Sequence, residues 1–164
     1  MKEPIVRQHS PCGASSNIPD TIVIHCMAEY VKDIEGNYTF APRYLENAGL
    51  SAHSLIAPDG TNYRCREDNE GAYHALGHNT NTLGMEILVA GKHDYASFAK
   101  TIKTDYVTNP QWEAAVKQCR EWIEKFGITK IVRHSDISPD RKIDPGAGFK
   151  WKKFLDVVKR SEVK

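Results

Sequence analysis

Long apolar runs, paired cysteines and net charge are what this sequence has least of. No stretch approaches the roughly 18 consecutive apolar residues that a membrane span needs. Met1 to Asn17 holds no apolar core of a secretory signal. The sequence therefore reads as a chain made in the cytoplasm without a signal peptide. Lysine and arginine number 22 against 21 acidic residues, a net charge of +1, so no overall basic character argues for nucleic acid as a partner. The four cysteines, Cys12, Cys26, Cys65 and Cys119, are scattered with no Cys-x-x-Cys pair. That excludes the usual structural-zinc and redox spacings and leaves free thiols as the expectation. Internal repeats, low-complexity tracts and linkers are absent too. The 164 residues thus read as one domain, 1–164, long enough to bury a single core.

The pattern along the chain is α/β. Residues 1–19, with Pro4, Pro11, Gly13 and Pro19, read as an irregular N-terminal arm. Strands are expected at about 20–26, 52–57, 61–65, 83–89 and 130–133, and a short helix near 41–48. The strongest helix runs from Pro110 to Phe126, where Trp112, Ala115, Val116, Cys119, Trp122, Ile123 and Phe126 share one face. Thr108 or Asn109 can cap it, Pro110 suits its first turn, and Gly127 stops it. A second helix is predicted at about 149–160, with Trp151, Phe154, Leu155 and Val158 on one side. From Lys150 to Lys164 six positive residues (Lys150, Lys152, Lys153, Lys159, Arg160, Lys164) stand against two negative, Asp156 and Glu162. The apolar side of that helix reads as core. Its basic side reads either as a solvated face or as a surface that contacts an anionic cell envelope.

The chemistry is concentrated in Arg133 to Gly146, where His134 and Asp144 are separated by ten residues, with Lys142 two before the carboxylate. His25 closes the apolar run Thr21-Ile22-Val23-Ile24. Two imidazoles and one carboxylate are a usual protein ligand set for a catalytic zinc, which keeps its fourth position open. If His134 ends the strand Lys130–Arg133, the loop can bring Asp144 back beside it and Lys142 near whatever the metal polarises. Alone, such a loop is also an ordinary Asp- and Pro-rich surface turn. Cys26 follows His25 and, by strand alternation, should face away from the metal.

Further segments sharpen the reading: Ser51-Ala52-His53, the turn Pro58-Asp59-Gly60, Tyr73-His74, and Leu83-Gly84-Met85-Glu86. With His25 and the His134 to Gly146 loop, their order resembles the zinc-dependent N-acetylmuramoyl-L-alanine amidases of the amidase-2 type. That family includes phage endolysins, cytosolic muropeptide-recycling amidases and peptidoglycan-recognition proteins. The resemblance runs from about Thr21 to Phe154. It implies a central mixed β-sheet flanked by helices, with a zinc cleft at one face. It implies one zinc held by His25, His134 and Asp144, and peptidoglycan or muropeptide as substrate.

By the same resemblance Glu86 is the general base and Lys142 the group that stabilises the oxyanion. Alone, Glu86 would read as half of a strand ion pair, and Lys142 as a solvated loop residue. The resemblance also places His53 in the cleft and His74 against the substrate. Tyr73 stands where many relatives have Trp. Ala52 stands where some carry a tyrosine before the histidine.

Three functions compete. The leading expectation is a monomeric phage-type endolysin acting on the cell wall after release. The second is a cytosolic amidase of soluble anhydromuropeptides. The third is a non-catalytic peptidoglycan receptor, which typically lacks a metal ligand that this chain retains.

Overall fold

Two twelve-residue strands, β2 (Thr21–Lys32) and β6 (Thr82–His93), pair in parallel and organise the rest of the chain. The computed structural model describes residues 4–160. The first three residues of the arm, and Glu162 and Lys164 of the basic C-terminal segment, lie outside the described residues. The other strands are β1 (Ile5–Arg7), β3 (Tyr38–Phe40), β4 (Ser54–Ile56), β5 (Asn62–Arg64) and β7 (Lys130–Arg133). The helices are α1 (Ala41–Asn47), α2 (Tyr95–Thr101), α3 (Asn109–Phe126), the single turn α4 (His134–Ile137) and α5 (Trp151–Lys159).

The seven strands form one mixed sheet in the order β1-β5-β4-β6-β2-β3, with β7 pairing the first third of β2. β4, β6, β2 and β7 run parallel, whereas β3 and β5 join as antiparallel partners of β2 and β4. The mixed sheet flanked by helices matches the expected class.

Helices cover both faces of the sheet, and the strands sort their side chains by alternation. Ile22, Ile24 and Cys26 of β2, with Met85, Ile87 and Val89 of β6, point to a core shared with α3 and α5. Leu55 and Leu88 point the other way, to a smaller cluster with Ala41 and Leu45 of α1. The first eight residues of β6 are all buried, as a central parallel strand requires. Trp122, Phe154 and Cys119 fill the main core, so the apolar faces expected on α3 and α5 are packing faces.

α3 begins on a reciprocal capping box between Thr108 and Gln111 and ends at Gly127, whose φ of 65° is the left-handed stop. Gln111 is fully buried. Its amide donates to the Ile56 and Leu88 carbonyls at 2.9 and 2.7 Å, fastening the first turn of α3 across β4 and β6.

The N-terminal segment departs from the irregular arm expected. Ile5–Arg7 adds to the sheet edge beside β5. From Ser10 to Asn17 the arm is held over the loop that follows β5. Buried Arg66 donates to the carbonyls of Ser10, Ala14 and Gly71 at 2.8–3.0 Å. The Asn17 amide bridges the Asp68 and Thr82 carbonyls. Proline and glycine content gave no hint of this, because the ordering donor is a side chain about fifty residues away.

His53, expected in the cleft, instead braces the sheet from inside. It is fully buried. Its Nδ1 accepts from the Gly84 N–H at 3.0 Å and its Nε2 donates to the Glu70 carbonyl at 2.8 Å. The residue lies just before β4, where sequence alternation does not reveal that the ring is turned under the loop. Burial pushes its pKa from 6.5 down to about 4.

Two predictions follow from these braces. Arg66→Ala strands three carbonyls and should cost about 2–4 kcal/mol in denaturant unfolding. Arg66→Lys should recover only part, because a single ammonium nitrogen cannot span carbonyls that the guanidinium reaches from three nitrogens. For His53 the folded state holds its proton less tightly than the unfolded state. Its contribution is therefore intact above pH 6.5 and is lost as pH falls from there toward about 4. The pH dependence of unfolding across that window should be flatter in His53→Gln than in the wild type.

Candidate metal centre and cleft

His25 lies within β2 rather than at its end, because β2 continues to Lys32 to pair with β3. Two registers then decide its neighbours. His25 pairs with Glu86 of β6, and Ile24 pairs with Arg133, the last residue of β7. The next residue, His134, therefore arrives beside His25 as α4 begins. Arg133 caps this turn through Asp136, whose carboxylate accepts from the Arg133 N–H and guanidinium.

The loop after α4 returns Asp144 to the same point. The Ser135 N–H donates to the Asp144 carbonyl at 3.1 Å, and the Tyr106 hydroxyl donates to the Pro145 carbonyl at 2.7 Å. Cys26, on the opposite face of β2 from His25 as expected, lies against the same Pro145 carbonyl. At Gly146 (φ 80°) a Cβ would come within 2.7 Å of the Ile102 carbonyl oxygen. Only glycine lets the loop lie this close to the end of α2.

The result is a triangle of donor atoms. His25 Nδ1 is 2.9 Å from His134 Nδ1 and 3.3 Å from Asp144 Oδ2, and His134 Nδ1 is 3.2 Å from the same oxygen. All three residues are buried. Donors placed 2.0–2.1 Å from a tetrahedral zinc lie about 3.3 Å from one another, so the triangle fits one face of such a site. Two imidazole nitrogens this close repel unless a proton or a cation lies between them.

Glu86 and Lys142 complete the group. Glu86 is buried, and its Oε1 has no hydrogen-bond partner among the described residues. Burial raises its pKa well above the usual carboxylate range, and the negative charge of Asp144 adds to this, while Lys142 opposes it. For Asp144 burial acts in the same upward direction. The adjoining His134 and His25 imidazoles outweigh it and hold that carboxyl below its ordinary value. Environments that drive two neighbouring carboxyls apart separate a proton carrier from a permanent anion. Burial lowers the pKa of His25, favouring the neutral imidazole that a metal requires.

His25, His134, Asp144, Glu86, Lys142 and His74 all line one cleft of about 560 Å³. Its lining includes the exposed side chains of Tyr73, Leu76 and Tyr95. His74 meets His25 edge-on, and both of its ring nitrogens are already engaged, by His25 and by Thr82. Thr82 and Gly84 escaped the sequence reading as site residues. Glycine inside a strand-like run is itself a signal of close approach, and here it makes room for the His74 ring. A Cβ on Gly84 would lie 2.5 Å from His74 Nδ1.

Comparison with known proteins agrees with this arrangement. A family profile described as N-acetylmuramoyl-L-alanine amidase matches residues 15–147. The chain is 30% identical over 118 residues to the 1,6-anhydro-N-acetylmuramyl-L-alanine amidase AmpD of Haemophilus influenzae, covering 67% of this chain and 59% of that protein. It is 27% identical over 169 residues to AmpD of Escherichia coli K12, covering 93% and 89%.

Among solved structures, the N-acetylmuramoyl-L-alanine amidase LysC from Clostridium intestinale superposes with a TM-score of 0.69 at 24% identity, over 93% of this chain and 95% of that one. A selenomethionine AmpD derivative superposes with the same TM-score of 0.69 at 21% identity, over 96% and 95%. These likenesses bear on the fold. The profile spans every residue of the triangle as well as Glu86 and Lys142, and by that match the chain belongs to the N-acetylmuramoyl-L-alanine amidase family.

Proposed function

We propose that this chain hydrolyses the amide between the lactyl group of N-acetylmuramic acid and L-alanine, with one zinc held by His25, His134 and Asp144. The observation that carries this reading is the triangle of buried donors at the base of the cleft, beside a carboxylate placed by strand register. Zinc, when bound, supplies a Lewis acid for the amide carbonyl and makes water nucleophilic near neutral pH.

The remaining work falls to the chain's own groups. Glu86 takes a proton from the attacking water and delivers it to the nitrogen of the departing L-alanine. The products are a muramoyl carboxylate and a free amine. The Lys142 ammonium, from the cleft lining, offsets the charge that the carbonyl oxygen gains. The exposed side chains of Tyr73, Leu76 and Tyr95 cover the bound substrate and limit water.

Two substrate forms fit this chemistry. Polymeric cell wall is the endolysin form expected from the sequence, and soluble 1,6-anhydromuropeptide is the recycling form. The curated relatives support the second, since both AmpD proteins carry that substrate in their names. Mass spectrometry of products from purified sacculi and from soluble anhydromuropeptide separates them. Stem peptides with free N-terminal L-alanine, lost with chelator and restored by zinc, are expected from one substrate or both. Cleavage between sugars or within the stem peptide would overturn the reaction assigned.

His134→Ala should lose stoichiometric zinc and with it turnover, and should also lower the thermal stability of the zinc-loaded protein. Glu86→Gln should keep zinc, measured by metal analysis, yet lower kcat by about 10²–10⁴-fold. Normal turnover in Glu86→Gln would mean that another group moves the proton.

A further inference from the structure

We propose that His74 and Thr82 are positioning residues that fix which nitrogen of His25 is free to bind the metal; this rests on the metal reading above. The direction of each hydrogen bond follows from one end of a row. The His78 carbonyl can only accept, so the Thr82 hydroxyl donates to it, at 2.6 Å. With its single hydrogen committed, Thr82 Oγ1 accepts from His74 Nε2 at 2.9 Å. The His74 proton is thereby placed on Nε2 and Nδ1 is left bare. That nitrogen accepts from His25 Nε2–H at 2.8 Å. His25 Nδ1 is then a lone pair, and it is the atom that faces His134 and Asp144.

The partners of the His74 ring are an imidazole and a hydroxyl, and no carboxylate touches it among the described residues. Its place is fixed from three sides. The Asn79 side-chain oxygen accepts from the His74 and Ala75 N–H groups at 3.1 and 2.8 Å. The ring rests in the recess left by Gly84, and the Thr82 anchor is 2% exposed. With both ring nitrogens engaged, His74 has none to offer a substrate, so the substrate contact expected from the sequence gives way to a role exercised through His25. A hydrogen bond on the far nitrogen of a ligand imidazole sets its tautomer and raises its basicity.

The test uses Thr82, which does not line the cleft. Zinc affinity of the metal-free protein would be measured by competition with a chromophoric chelator. Nitrogen-15 shifts of the imidazoles, also in the metal-free protein, would report their tautomers. Thr82→Val keeps shape and removes the hydroxyl. It should weaken zinc binding by about 10-fold or more and abolish the single tautomer of His74 and His25. Thr82→Ser should restore both.

Wild-type affinity in Thr82→Val would overturn the proposal. So would failure of Thr82→Ser to recover, which would assign the loss to packing, and so would a raised KM with unchanged zinc affinity in His74→Ala. No zinc uptake by the wild type would overturn the metal reading and this proposal together. Normal uptake with an indifferent Thr82→Val overturns this one alone.

Discussion

Register between parallel strands is the constraint on which this site depends. Parallel pairing of β2 with β6 and β7 puts His25 level with Glu86 and delivers His134 one residue beyond Arg133. A slip of one residue along β2 would exchange its two faces, sending His25 into the core and Cys26 toward the cleft. The core forbids that slip. Ile22, Ile24 and Cys26 fill one side of the strand, and Met85, Ile87 and Val89 match them on β6. Hydrophobic packing on one face thus sets the chemistry on the other, without any direct contact between the two.

The same burial that fixes register creates an electrostatic problem. An imidazole pair and two carboxyls share a space from which water is largely removed, and isolated charge there is costly. The structure answers with unequal treatment. Asp144 receives both histidines as partners and remains an anion. Glu86, whose Oε1 has no partner among the described residues, favours its protonated form. A dication held at the triangle would change this balance by drawing Glu86 back toward ionisation. The carboxyl group is in this way made responsive to the state of the site, while the ligand set stays constant.

Much of this was legible in the chain because the signals were periodic or punctuated. The helix at α3 could be read from its cap, its apolar spacing and its terminal glycine. The buried strand 83–89 could be read from its apolar run, and 130–133 from Ile131 and Val132 between two basic residues. The donor triangle was legible as residue types in order. The pairing that joins them was not, because register is decided between segments far apart. The outer halves of β2 and β6, with β3, were missed because polar residues break their alternation at Glu29, Lys32 and Lys92.

α2 is a short helix with no buried residues to give it a face. His53, named for the cleft, lies fully buried outside its lining, whereas His74 lines the cleft with both ring nitrogens engaged within the protein. A histidine's partners depend on how the ring turns, and no spacing rule encodes that. Thr82 looked like any strand-opening threonine.

The two histidines of the triangle are 109 residues apart in the chain. Only His134 and Asp144 share a local segment, and His25 joins them through the pairing of β2 with β7. Closing so long a loop is entropically costly before any contact rewards it, and non-local parallel pairing is slow to form. The order of assembly follows. β2 and β7 must pair before all three donors meet, so a metal held by them would stabilise the end state rather than template the route to it. A nascent or partly unfolded chain is for the same reason chemically silent, and the hydrolytic centre comes into being only with the completed sheet.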